Sequence, residues 1–125
     1  MAPATQIMTE ADTCRELVTP KLLQSGWGGA PHVLGEQRTF TNGRIIVTGG
    51  HVRRGKQKRA DYLLYYRRDL PLAVVEAKES GLPVETGVQQ AKDYAEILGL
   101  KFAYATNGHR IIEIDYTAGT EQEVD

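Results

Sequence analysis

Asp61, Glu76 and Lys78 are residue types that can do chemistry together if the chain brings them to one place. Ala60–Tyr66 and Leu70–Ala77 read as two strands joined tightly through Arg67, Arg68 and Asp69. If the turn centres between Arg68 and Asp69, Asp61 falls directly opposite Glu76. The two-residue strand period then puts Leu72, Val74, Glu76 and Lys78 on one face. Opposed residues carry Cβ atoms roughly 4.5–5.5 Å apart, so two carboxylates there repel each other. A divalent cation between them removes the repulsion, and Lys78 supplies a second positive charge beside it. Mg²⁺ held by carboxylates keeps positions open for water and a phosphate oxygen, lowers the pKa of that water and stabilises developing charge. Lys78 can orient or deprotonate the water or stabilise the transition state, and the carbonyl of Ala77 can be a further ligand. Phosphodiester hydrolysis uses this chemistry. The plainer alternative is a salt-bridged hairpin in which Lys78 neutralises both carboxylates. Glu-x-Lys alone favours that alternative, because it is common. Position tips the balance: Val74-Val75 runs straight into Glu76-Ala77-Lys78, so the triplet ends a buried strand, where pairing gives way to solvent.

The elements on either side must hold this hairpin in place. After it, Thr86 is expected to cap a helix that ends near Leu98 and stops at Gly99, with Val88, Ala91, Ala95 and Leu98 as its apolar stripe. Gln90 and Tyr94 are four apart and therefore neighbours on an adjoining face. Their amide and phenol can bind a phosphate, a base edge or the lysine. A half-buried tyrosine beside a solvated glutamine is the alternative that the pair alone leaves open. Before the hairpin, Thr9 caps a helix with Glu10 and Asp12 in its first turn. Ala11, Cys14, Leu17 and Val18 face the core, Pro20 interrupts or kinks the helix, Gly26 ends it, and Trp27 folds back as a lid. Gly28–Gly35 reads as loop and Arg44–Thr48 as a strand. Phe102–Thr106 and Arg110–Asp115 close the fold around Asn107-Gly108. The expected class is α/β, a mixed sheet flanked by helices in the order α-β-β-β-α-β-β. Residues 1–116 form the domain, and the acid-rich, apolar-poor residues 117–125 form a tail or linker.

Composition supports a single globular domain: 125 residues, 41% hydrophobic and 25% charged. No apolar run is long enough to span a membrane, and Met1–Thr9 lacks the order of a signal peptide. One cysteine cannot form an internal disulfide, so the chain is expected in the cytoplasm, with Cys14 in the core. A net charge of −1 hides an asymmetry: 12 basic against 8 acidic residues up to residue 79, and 3 against 8 beyond it. The basic side peaks at Arg53, Arg54, Lys56, Lys58 and Arg59, a candidate DNA contact that is more ordinarily a solvated loop. Gly50–Gln57 nearly spells a phosphate-binding P-loop. It ends in Gln57, which has no hydroxyl for Mg²⁺, and it leads into a strand, so no ATP site is expected here. His32, His51 and His109 lack metal-ligand spacing, and Trp27, Tyr62, Tyr65 and Tyr66 read as packing residues.

Ala60-Asp61, Glu76-Ala77-Lys78 and Gln90-x-x-x-Tyr94 together resemble the PD-(D/E)XK nuclease superfamily, in the branch that carries a Gln-xxx-Tyr motif. More narrowly, the chain resembles the N-terminal nuclease domain of the R subunit of type I restriction–modification enzymes. The resemblance runs from Glu10 to Asp115 and includes Glu10 with Arg15, Gly26-Trp27, Arg59–Tyr62, Val75–Lys78, Gln90–Tyr94 and Thr106–Gly108. Ala60 stands where the superfamily's name has proline, at a permissive position. The resemblance implies a restriction-endonuclease-like core and a DNA endonuclease that uses Mg²⁺, with Mn²⁺ able to substitute. Asp61, Glu76 and Lys78 would then be catalytic, with Asp61, Glu76, Ala77 and Glu10 at the metal and Gln90 and Tyr94 beside the scissile phosphate. It implies double-stranded DNA and the modification and specificity subunits as partners, and an ATP-driven motor in a region that 125 residues cannot contain. A non-catalytic DNA-binding or assembly module on the same scaffold is the alternative. The intact Asp61/Glu76/Lys78 set speaks against it, since a binding module has no need to oppose two carboxylates.

Overall fold

The computed structural model describes residues 8–41, 44–46 and 58–124. Thr9 accepts a hydrogen bond from the Asp12 N–H at 3.1 Å, which opens helix α1 (Glu10–Thr13) as the sequence predicts. A π-helical turn, Cys14–Val18, joins α1 to α2 (Thr19–Gln24), and Pro20 lies in the first turn of α2. Proline has no N–H and its ring crowds the carbonyl four residues back, so the turn before it widens rather than breaks. Gly26, at φ 98°, then ends the arm: its N–H reaches the Leu23 carbonyl and the Trp27 N–H reaches Leu22. That pairing folds Trp27 back against the arm and the core, as expected.

Seven strands form one sheet in the order β2-β1-β3-β4-β5-β6-β7. They are β1 (Val33–Thr41), β2 (Arg44–Ile46), β3 (Lys58–Arg67), β4 (Leu70–Ala77), β5 (Phe102–Thr106), β6 (Ile111–Asp115) and β7 (Thr120–Val124). All neighbours are antiparallel except β4 and β5, which the crossover helix α3 (Val88–Leu98) connects in parallel. Alternation along the strands builds a core on each face. Leu63, Val74 and Ala103 pack beneath Ala91 and Ala95 of α3, whereas Tyr62, Leu64 and Val75 pack beneath Cys14 and Val18 of the helical arm.

The observed order is α-β-β-β-β-α-β-β-β, counting the arm as one helix, which adds two strands to the expected one, and α3 also starts differently. Val33–Gly35, expected as loop, begins β1 and pairs with Leu63–Tyr65. Gly35 had suggested a turn, but its bare Cα is needed for packing. A Cβ there would lie 2.6 Å from Arg38 Nε and 3.1 Å from the Tyr65 ring. Thr120–Val124, expected as tail, is an edge strand on β6. Its low apolar content suits an edge, where charge discourages further pairing, and Glu121 and Glu123 are held by Lys92 and Arg110. Thr86, expected as a helix cap, lies exposed in a 3₁₀ turn (Val84–Gly87), and Gly87 takes the cap position of α3 without a side-chain cap. The basic loop residues Arg53, Arg54 and Lys56, the P-loop-like run and His51 lie outside the described residues.

β1 and β3 share one irregularity that matters for the site. Val33 packs on the α3 side and Leu34 on the arm side, so unbroken alternation would put every even-numbered residue of β1 on the arm side. Phe40 packs on the α3 side instead. In β3, Tyr62 and Leu64 face the arm, while Ala60 joins the α3 side. The pleat therefore inverts between Leu34 and Phe40 on one strand and between Ala60 and Tyr62 on the other. Gln37, at φ 52°, is the residue that inverts it, and the ladder steps from Glu36↔Tyr62 to Arg38↔Ala60 without pairing it.

Candidate functional site

The β3–β4 hairpin turns through Arg68 and Asp69, and its ladder pairs Leu64 with Ala73, Leu63 with Val74 and Tyr62 with Val75. The next step along that register opposes Asp61 to Glu76, as the sequence predicts, but the backbone ladder ends there. The strands diverge, with β3 continuing beside β1 and β4 beside β5. Carboxylates take over the pairing. The Asp61 N–H donates to Glu76 Oε2 at 2.9 Å, and the Ala77 N–H donates to Asp61 Oδ2 at 2.8 Å. The side chains that would repel are thus each fixed by the other strand's backbone, at the crotch of a forked sheet.

Both acids are buried, Asp61 at 8% exposure and Glu76 at 3%. Burial pushes the Glu76 carboxyl up to about 8, and the nearby charge of Asp61 pushes in the same direction. Burial also raises Asp61, against the opposing pull of the Ala77 N–H. Among the described residues no ion pair reaches either carboxylate. Lys78 does not neutralise them by contact: its Nζ donates to Gln90 Oε1 at 2.9 Å. Gln90 Nε2 in turn donates to the Tyr94 hydroxyl at 2.8 Å, and the Tyr94 ring stands edge-on to Phe40 at a centroid distance of 5.0 Å. The four-residue spacing of Gln90 and Tyr94 therefore makes a relay that aims Lys78, one of the roles open to it in the sequence. The salt-bridged hairpin is not what the chain builds.

Gly87 completes the arrangement, and sequence reasoning missed it. A Cβ at Gly87 would lie 3.3 Å from Lys78 Cγ, so the bare backbone at the start of α3 leaves room for the lysine stem. Gln37 was missed too. Its amide lies 3.5 Å from Asp61 Oδ1, and a glutamine is not a residue type that signals a left-handed backbone. Asn107, by contrast, is structural: its amide holds the Leu82 carbonyl while its oxygen accepts from the His109 and Arg110 N–H groups.

Glu10 faces the site from α1. Burial raises its carboxyl, and the Asp61 charge adds to the rise. Even so, among the described residues no three His, Cys, Asp or Glu side chains gather closely enough to hold a metal ion, so Glu10 does not join Asp61 and Glu76 in a three-acid cluster. The donor set for a cation is Asp61 and Glu76 with water, which suits Mg²⁺, an ion that keeps several waters and takes one or two carboxylates. Arg59 and Arg15 line the groove that leads from α1 to Asp61, whereas Lys58 lies further out along β3. Cys14 is buried with its thiol pushed up to about 11, which fits a core residue and not a nucleophile. Among the described residues no helix is long and apolar enough to cross a membrane.

Residues 31–125 match the family model for the type I restriction enzyme R protein N terminus. The chain is 38% identical over 111 residues to the type I restriction enzyme EcoAI endonuclease subunit of Escherichia coli, covering 89% of this chain and 14% of that one. A solved fragment assigned to the HsdR subunit of a type I restriction enzyme from Vibrio vulnificus YJ016 superposes with a TM-score of 0.83 at 62% identity. It covers 96% of this chain and 23% of the other. The chain thus spans less than a quarter of the length of these relatives. With the match to the family model over most of its length, the chain belongs to the type I restriction enzyme R protein N-terminus family.

Proposed function

We propose that this chain is the DNA-cleaving part of a type I restriction R subunit, a Mg²⁺-dependent endonuclease with a PD-(D/E)XK core. One observation carries the reading: two buried acids share the end of a forked hairpin without a cation partner among the described residues, while the adjacent lysine is held off by Gln90. A purely structural hairpin gains two N–H bonds from this arrangement but bears the cost of burying both carboxylates away from the adjacent ammonium group.

Asp61 and Glu76 would hold the metal, with the Ala77 carbonyl as a further ligand and Glu10 acting only through water. When bound, the ion supplies a water of lowered pKa and neutralises charge developing on the phosphate. The chain's own residues do the rest. The reciprocal N–H bonds fix both carboxylates before the ligand arrives, so little reorganisation is needed. Lys78, aimed by Gln90 and Tyr94, places an ammonium beside the carboxylates, where it can stabilise the attacked phosphate or steer the attacking water. Arg59 and Lys58, with Arg53, Arg54 and Lys56 of the basic loop, would hold the DNA backbone. In the longer protein, modification and specificity subunits would choose the site and an ATP-driven motor would deliver the DNA.

Glu76→Ala should abolish DNA cleavage and leave DNA binding within about twofold, since the basic residues carry the electrostatic affinity. A wild-type chain that binds DNA without cutting it would favour the binding or assembly module instead, and cleavage by Glu76→Ala at the wild-type rate would remove Glu76 from the site.

A further inference from the structure

We propose that Gln37 is a positioning residue for Asp61: its left-handed backbone opens the β1–β3 ladder beside Asp61, and its amide faces the carboxylate oxygen that no backbone N–H holds. The inference rests on the reading of Asp61 as a metal ligand. Of the two Asp61 oxygens, Oδ2 is fixed by the Ala77 N–H at 2.8 Å, and Oδ1 is met by Gln37 Nε2 at 3.5 Å. The fixed oxygen determines where the carboxylate sits, and the other determines how it is turned.

The backbone supports the same role. Gln37 is the one non-glycine with positive φ among the described residues, at 52°. Glycine or asparagine would adopt that conformation more cheaply, so a glutamine there needs a reason of its own. The residues on either side are ordinary ladder pairs, Glu36 with Tyr62 and Arg38 with Ala60. The break is confined to the one position that faces Asp61. A regular β1 would continue the pleat and turn that position's side chain elsewhere. Instead Gln37 borders the same groove as Glu10, Arg15, Arg59 and Asp61, on the side from which a cation and a phosphate would enter. Hydrogen-bond partners that orient metal-binding side chains affect affinity without touching the ion.

Two variants separate backbone from side chain. Gln37→Gly keeps the left-handed turn and removes the amide, and Gln37→Asn tolerates the turn with an amide one methylene shorter. Mn²⁺ binding by calorimetry and amide hydrogen exchange of the metal-free chain are the readouts. The expected result for Gln37→Gly is a melting temperature at or above wild type, Mn²⁺ affinity about tenfold weaker, and faster exchange at the Ala77 N–H with Val74 unchanged. Gln37→Asn should fall between Gln37→Gly and wild type. Wild-type Mn²⁺ affinity together with wild-type exchange at Ala77 in Gln37→Gly would overturn the proposal. A wild-type chain that binds no Mn²⁺ would overturn the metal-site reading, whereas the Ala77 exchange would still decide whether Gln37 holds Asp61.

Discussion

Taking a carboxylate out of water raises its pKa, and a second negative charge nearby raises it further. Glu76 experiences both and is pushed up to about 8 from an ordinary value near 4.5. As pH rises through about 4.5 the unfolded chain gives up this proton, while the metal-free folded chain keeps it until about pH 8. The unfolded state therefore binds fewer protons across that window, and folding stability falls as pH rises through it, by something on the order of a few kcal/mol. Melting in EDTA from about pH 4.5 to about pH 8 should show this decline, and Glu76→Gln should flatten it and melt higher at the upper end. A cation must displace the proton, so Mn²⁺ affinity should climb over the same range. A metal-free melting temperature that rises with pH from about 6 to about 8, with Glu76→Gln no different, would contradict this role for the residue.

At the scale of elements, the site depends on two strands diverging and one helix starting at the right place. Because Gly87 leaves only 3.3 Å between a notional Cβ and Lys78 Cγ, Gly87→Ala should displace the lysine stem. Nuclease activity should fall about tenfold or more at a stability cost of roughly 1 kcal/mol, and Gln90→Ala should lower activity similarly through loss of aim. Activity that tracks only the change in melting temperature in both variants would contradict the positioning role. The hairpin was legible in the sequence because its two-residue turn sets the register, and the two irregularities on either side of Tyr65 cancel before Leu64 meets Ala73. Helix α3 was legible from its apolar stripe and Gly99, though not its start, since a 3₁₀ turn carries little periodic signal. Strands β1 and β7 were not legible. Gly35 imitates a turn where it serves packing, and β7 is an edge strand whose acids are matched by Lys92 and Arg110. The inversion at Gln37 left no trace in composition, because a single left-handed residue carries no periodic signal.

At the scale of the whole molecule, a sheet clamped between a helical arm and α3 presents, among the described residues, a groove that combines acids with arginine. Replacing Lys58 and Arg59 by glutamine should weaken DNA binding and reduce the slope of log affinity against log salt by about one to two. An unchanged slope would remove β3 from the DNA interface. That the forked hairpin cuts DNA is tested by nicking of supercoiled plasmid, with wild type beside Lys78→Ala at equal concentration in Mn²⁺ or Mg²⁺. Wild type should nick the plasmid and EDTA should abolish the nicking, with a loss of at least about a hundredfold in Lys78→Ala while Mn²⁺ binding stays intact. Equal nicking by both proteins, or none by a wild type that binds Mn²⁺ and DNA, would contradict it.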